Sequence, residues 1–494
     1  MEMSDGPSIL SGVRAGRSGS IRPVACAQAA PIGRHFMLLL VVLALAAVHP
    51  GARADEIDRY LARERAIYQV PALVVGIIRG GHLVDSRVLG LANVELNVPA
   101  SSRHVFEIGS ISKQFTAYAL LMLLEKGDVD LQSPVGRYLS ELPSPWAKPT
   151  LHQLMGHISG LPDLESAFSY GVYRETPTDE EFLKRLLSLP IASPPGEKWS
   201  YSNTNYWLLA RVIERVSGKT YAQFMRDHVF APLGMTSTRS ALPSQILKGR
   251  ASGYHLIDDR LENRDAMQPN TSRGLGDIAS TLADMARWEQ EQRAPRLVRP
   301  ATAQLARQPV KLNDGSATEY GYGWFMEQAL PLPALRHTGG TAGFTADYVR
   351  VPGRDLAIVV FANCFCAPAS MAIRIARLSD SALHGPSLDI VRDADAHRTE
   401  RVRELISAAT RAKSEWREEW FTEDFWRDIK PYLAELEAAY RRRGKSRSIT
   451  PIGPNGVHDT ARPKYRAVFE RATRLLTFEF DSMGRIKAID TEDE

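Results

Sequence analysis

From Ala117 to Leu124 nearly every residue is apolar, in a stretch that opens at Ser110 and closes at Lys126-Gly127. A helix apolar on all its faces has to be enclosed, and a basic residue followed by glycine is a helix-stop signal. The fold must therefore be built around residues 110–126. Material to enclose it lies at both ends of the chain. An apolar run from Leu73 to Ile78, a turn at Gly80-Gly81 and a resumption at Leu83-Val84 predict a hairpin over 73–92. From about 321 strands return: Tyr348–Val351, a turn at Pro352-Gly353, then Leu356–Phe361. The proline-rich middle, 132–300, adds helices such as Tyr206–Val216, ending at Ser217-Gly218. Strands at both ends of a helical middle predict an α+β domain whose terminal strands meet in one antiparallel sheet.

Two further segments flank that domain. Residues 1–54 read as an export signal with an extended leader: arginines, an apolar run Phe36–Val48, and an A-x-A cleavage site at Ala52-Arg53-Ala54. The run is too short to span a bilayer, so the expectation is a periplasmic or secreted protein with no transmembrane span after cleavage. At the other end, a boundary near His384-Gly385-Pro386 separates a domain at 55–385 from a small one at 386–494. The latter is about 40% charged against 24% for the whole chain, but Trp416, Trp420, Phe421, Phe425 and Trp426 are too many aromatics for a disordered tail. Alternation at Leu476, Phe478 and Phe480, then a turn at Asp481–Gly484 and Ile486, predicts a hairpin there. The basic run Arg441–Arg443 with Lys445 and Arg447 reads as a solvated loop. A net charge of +4 over 494 residues gives no argument for a nucleic-acid partner. Cys364 and Cys366, two apart in a presumed strand, share a face but would need a distorted backbone to bridge, so they are expected to be buried free thiols.

Three short elements carry the chemistry. Ser110-Ile111-Ser112-Lys113 places serine and lysine three apart on one helical face; a desolvated lysine can take the proton that a serine hydroxyl must lose to attack. Tyr201-Ser202-Asn203 offers a phenol, as phenolate or proton shuttle, and an amide that can hold a substrate carbonyl. His337-Thr338-Gly339-Gly340 precedes a strand, and its small residues let a backbone N–H approach a substrate and form half an oxyanion hole, with the Ser110 N–H as the other half. Taken singly each has an ordinary structural reading: a helix N-cap, a packed helix start, a packed sheet-edge histidine. Together they follow the order of the S-x-x-K, S-D-N and K-T-G elements of penicillin-recognising enzymes, with Y-S-N and H-T-G in the second and third places.

The sequence at this point resembles the class C β-lactamase family of serine hydrolases, which includes D,D-peptidases, D-aminopeptidases and esterases. The likeness runs over about 57–385 and extends to Leu151–Asp163, Phe230–Met235, Gly274–Thr281 and Tyr320–Trp324. It implies an antiparallel sheet with helices on both faces and a helical subdomain, followed by the small C-terminal α+β domain. It also implies that Ser110 attacks a carbonyl, that Lys113 and Tyr201 handle the proton, that Asn203 positions substrate, and that the Ser110 and Gly340 amides hold the oxyanion, without cofactor or metal. The partner is then a small-molecule or peptide substrate: D-amino-acid peptides, β-lactams or small esters. Histidine at 337, where β-lactamases proper carry lysine, attracts a substrate carboxylate less strongly at neutral pH. That shifts the expectation toward a peptidase or esterase. His157 and Ser159 read as scaffold. The competing reading is a catalytically idle ligand-binding or sensor protein on the same scaffold.

Overall fold

The structure is a computed structural model that describes residues 50–494 except 241–242, 368–369, 412–415, 431–432 and 455. The apolar run of the leader lies outside these residues. Ala52–Ala54 falls near the start of α1 (Pro50–Ile67).

The strands from the two ends of the chain pair as the sequence predicts. Early strands β1 (Ala72–Arg79), β2 (His82–Asn93) and β3 (Val98–Pro99) join late strands β4 (Phe325–Glu327), β5 (Ala334–Thr341), β6 (Phe344–Val351) and β7 (Leu356–Ala362). They form one seven-stranded sheet in the order β3-β2-β1-β7-β6-β5-β4. Neighbours run antiparallel, and Leu73 faces Ala362 while Arg79 faces Leu356 across the β1–β7 seam. Period-2 alternation divides the side chains between two cores. Leu73, Val75, Ile358 and Val360 pack with α1 and with α4 (Met371–Ser379); Val74, Ile78, Val359 and Phe361 pack toward α2 (Ser112–Lys126) and α3 (Asn203–Ser217). Covered on both faces, β1 and β7 read as continuous apolar runs.

Helix α2 is enclosed as its composition demands: Ser112 through Leu123 are all buried. Gly127 ends it in the left-handed region, φ 79°, with its N–H returned to the carbonyls of Leu123 and Leu124. The serine of the S-x-x-K element precedes this helix, in a 3₁₀ turn over Gly109–Ile111.

The C-terminal part is a five-stranded sheet in sequence order, β8 (Leu388–Ile390), β9 (Ser446–Pro454), β10 (Lys464–Phe469), β11 (Thr473–Phe480) and β12 (Ile486–Asp493). It packs with α5 (Ala396–Ala409), α6 (Glu423–Ile429) and α7 (Leu433–Arg443) around Trp416, Trp420, Phe421, Tyr465 and Phe478. Two expectations are corrected here. Arg441–Arg443 form the last turn of α7 rather than a loop, where the helix dipole favours cations; Arg443 is buried, its Nε donating to the Tyr68 hydroxyl at 3.0 Å, with its guanidinium over the Tyr440 ring. Cys364 and Cys366 are joined by a disulfide, not free. Strand β7 stops at Ala362, so the chain turns at the cysteines and brings their Cα atoms to 5.1 Å, within disulfide range.

A buried ionic cluster fixes this part to α1. Arg474 on β11 reaches Glu64 of α1 at 2.7 Å and Asp493 of β12 at 3.0 Å, with all three side chains within 1% of full burial. The Tyr60 hydroxyl of α1 also donates to Asp493. Burial pushes the Glu64 carboxyl upward, as does Asp493, and the Arg474 charge opposes both. Removing Arg474 would leave Asp493 without a cationic partner and Glu64 with only the partly exposed Arg63, at 3.0 Å, in an apolar setting. Arg474→Met is therefore expected to lower the unfolding free energy by about 3–5 kcal/mol, read as a fall in the urea midpoint; a midpoint equal to wild type would show that the cluster does not hold the fold.

Candidate active site

Two backbone segments meet closely beneath the site. A Cβ on Gly339 would stand 1.9 Å from the Ile108 carbonyl oxygen, and one on Gly109 2.6 Å from the Gly340 nitrogen. Gly109 also has φ +52°, a conformation other residues rarely adopt. Glycine at these positions lets β5 lie directly on the turn that carries Ser110. The pairing of β5 with β4 covers Ala334–Arg336, and beyond it the strand runs past the serine turn. This places Gly339 and Gly340 beside Ser110, as the H-T-G-G element implied.

Lys113, the second residue of α2, is fully buried. Its Nζ donates to Ser110 Oγ at 2.9 Å, to Asn203 Oδ1 at 2.8 Å and to the Leu275 carbonyl at 2.9 Å. It also lies 4.8 Å from the centre of the Tyr201 ring. Burial lowers its pKa to about 7, against the opposing pull of the Asp163 and Glu165 charges. A group so poised is a competent base near neutrality. Tyr201 hydrogen-bonds Ser110, but burial raises its pKa well above the ordinary phenol value, so the hydroxyl keeps its proton. Of the two roles left open by the sequence, phenolate and shuttle, this environment favours the neutral shuttle.

The loop 157–165 acts as a template for 200–203. Asp163 accepts the Asn203 N–H at 2.7 Å, satisfying a free donor at the start of α3. His157 accepts the Ser202 N–H at 3.1 Å, and its ring lies 4.3 Å from that of Tyr201. His157 is thus scaffold, as read, and its work is to seat Tyr201. Glu165 accepts from Asn203 Nδ2 at 3.3 Å and from the Tyr173 hydroxyl at 3.1 Å, completing a chain Lys113–Asn203–Glu165. Asp163 and Glu165 were not singled out from sequence, although both lie at the end of the L-P-D-L-E stretch.

His337 is buried and both its ring nitrogens are engaged. Nδ1 lies 2.6 Å from the Thr338 carbonyl oxygen, which only an N–H can satisfy, so Nε2 accepts from the Tyr320 hydroxyl at 3.0 Å. Burial, reinforced by Lys113, lowers its pKa to about 3. The imidazole is therefore a neutral support under Tyr320, Tyr201 and Phe325 and does not present a cation to a substrate. Thr338 and Gly340 alternate with it and are half-buried on the other face of β5. Among the described residues no group of three His, Cys, Asp or Glu is arranged to hold a metal.

The electrostatics set a pH response. With Lys113 as the base, only its neutral form can take the Ser110 proton, and the reaction of Ser110 with a fluorophosphonate should then rise with pH along a limb centred near 7, the value set by burial of the lysine. The Glu165 charge raises that value, so Glu165→Gln should move the limb to lower pH. A labelling rate flat between pH 5 and 9, a window bracketing about 7 on both sides, would exclude Lys113 as the base.

Comparison with known proteins agrees with this geometry. Residues 57–382 match the family described as Beta-lactamase. The chain is 28% identical over 300 residues to penicillin-binding protein 4* of Bacillus subtilis (strain 168), covering 58% of this chain and 66% of that protein. It is 27% identical over 323 residues to a D-aminopeptidase of Cereibacter sphaeroides, covering 63% of this chain and 60% of that protein. It thus spans three fifths to just under two thirds of these relatives' lengths. Among solved structures, the octameric penicillin-binding protein homologue from Pyrococcus abyssi superposes with a TM-score of 0.61 at 20% identity, over 89% of this chain and 98% of that one, a likeness of fold that takes in the C-terminal domain. With the family match over most of the chain and the Ser110–Lys113–Tyr201 geometry in place, this protein belongs to the β-lactamase family.

Proposed function

We propose that the protein is an exported serine hydrolase that forms an acyl-enzyme on Ser110, with D-amino-acid amides and peptides as its preferred substrates ahead of small esters and β-lactams. The observation that carries this reading is the buried Lys113 Nζ at 2.9 Å from Ser110 Oγ, its pKa held near 7 by that burial. Neutral Lys113 takes the serine proton as Oγ attacks the carbonyl. The oxyanion forms against the Ser110 and Gly340 amides. Tyr201, protonated, delivers a proton to the departing nitrogen, and the proton that Lys113 took from Ser110 replaces it on Tyr201. Water then repeats the sequence on the acyl-enzyme.

Charge favours an amine-bearing substrate. Asp163 and Glu165 place negative charge beside Asn203, where the acyl part would lie, and neutral His337 offers no cation to a carboxylate. An α-ammonium next to the scissile carbonyl suits that field. The D configuration is suggested by the D-aminopeptidase among the relatives, and export by the leader.

Ser110→Ala should abolish covalent labelling and the hydrolysis of a nitrophenyl ester; background-corrected turnover at the wild-type rate would remove Ser110 as nucleophile. Lys113→Ala and Tyr201→Phe should each reduce kcat by about 10²–10⁴-fold, the range of a positioned acid or base. Glu165→Gln should raise KM for a D-aminoacyl amide while leaving its N-acetylated counterpart little changed. An equal effect on both would show that Glu165 does not face the ammonium.

A further inference from the structure

Phe365 stands between the two half-cystines, and it is an exposed aromatic at the edge of the catalytic cleft. In an extended or gently turned chain, residues two apart share a face and the one between points the other way. Cys364 is fully buried in the core behind the sheet and Cys366 packs against the same core. Cys364 is further anchored by Thr345 Oγ1, which donates to its carbonyl at 3.0 Å, and the Phe365 N–H is held by the Tyr254 carbonyl at 3.3 Å. With both sulfurs bonded to each other on the core side, the intervening ring is turned outward. It comes to rest over the oxyanion strand: a Cβ on Gly340 would be 2.5 Å from Phe365 Cε2. On its other side the ring centre lies 5.8 Å from that of Tyr170, and Tyr170 packs on Tyr173, whose hydroxyl donates to Glu165. Yet 41% of Phe365 remains exposed, beside a reacting centre where exposed aromatic surface invites an apolar ligand group.

The contacts of the ring say which part of a substrate meets it: through Tyr170 and Tyr173 it is linked to Glu165, which accepts from Asn203. The ring therefore lies on the acyl side, the side of Asn203 and Glu165. We propose that Phe365 and Tyr170 form an aromatic clamp for an apolar or aromatic side chain on the acyl residue of the substrate, and that the Cys364–Cys366 disulfide is the element that aims the clamp. The proposal rests on the acyl-transfer reading above but names a specificity that reading does not require.

The clamp can be tested without turnover, by calorimetric titration of D-phenylalaninamide and D-alaninamide into Ser110→Ala protein. Wild-type clamp residues should give the phenyl ligand about tenfold tighter binding, the scale of one well-packed aromatic contact. Phe365→Ala should bring the two ligands within about twofold of each other. Cys364→Ser/Cys366→Ser, or reduction with a phosphine, should erode the preference while near-ultraviolet circular dichroism shows the fold intact. No preference before substitution, or a preference unaltered by Phe365→Ala, overturns the clamp; a preference lost in Phe365→Ala but unchanged on reduction overturns the role of the disulfide. Failure of the acyl-transfer reading would show separately, as nitrophenyl ester hydrolysis that survives Ser110→Ala.

Discussion

Everything at this site follows from putting the Lys113 amine where water cannot reach it. A lysine whose pKa falls from 10.5 to about 7 has its neutral form favoured by roughly 5 kcal/mol relative to solution. That cost to the fold is felt in full below pH 7, where the unfolded and folded chains both carry the charge, and it fades as pH rises toward 10.5, because only the unfolded state still binds the proton. Such a burden is sustainable only in a helix enclosed on every side, which is what the apolar sequence of α2 enforces. The three acceptors on Nζ then decide how much of the charged form survives: without Ser110, Asn203 and the Leu275 carbonyl around it, an amine in that setting would be an unsatisfied donor as well as a desolvated one.

The same burial acts in opposite directions on the neighbouring groups. It lowers Lys113 and His337 and raises Tyr201, because in each case the charged form is the one disfavoured. The result at neutral pH is a half-deprotonated amine beside a protonated phenol and a neutral imidazole. Asp163 and Glu165 raise the Lys113 pKa from a segment that contacts the first residue of α3, Asn203.

How much of this was legible in the sequence depended on the range over which each signal acts. Ser110 and Lys113 share a helical face, a relation fixed by the period of the helix, and β1 and β7 announced themselves by unbroken apolar runs. The sequence pattern opens the helix at Ser110, whereas in the structure it begins at Ser112 and Ser110 sits in a 3₁₀ turn where Gly109 meets Gly340, a contact between segments more than two hundred residues apart in the chain. For the same reason the carboxylates at 163 and 165 and the ring at 365 carried no local mark of function: their roles depend on which loop lies across from them. At His337 the sequence predicts a mostly neutral imidazole, but its orientation under Tyr320 cannot follow from a strand pattern. The Cys364–Cys366 pair failed for a simpler cause, the assumption that β7 continued through it.

The two ends of the chain solve related problems by different means. At the active site, charge is tolerated in the interior by neutralisation; at the junction of α1 with the C-terminal sheet, it is tolerated by pairing, with Arg474 between Glu64 and Asp493. Pairing of buried ions seldom adds net stability over an apolar alternative, but it penalises any arrangement in which one partner is missing. An interface built this way admits one seating of the C-terminal sheet on α1. Because α1 also packs on the back of β1 and β7, the same helix links the C-terminal sheet to the sheet whose strand β5, next to the edge strand β4, carries Gly339 and Gly340. The C-terminal sheet is thus joined, through α1, to the back of the sheet that carries Gly339 and Gly340.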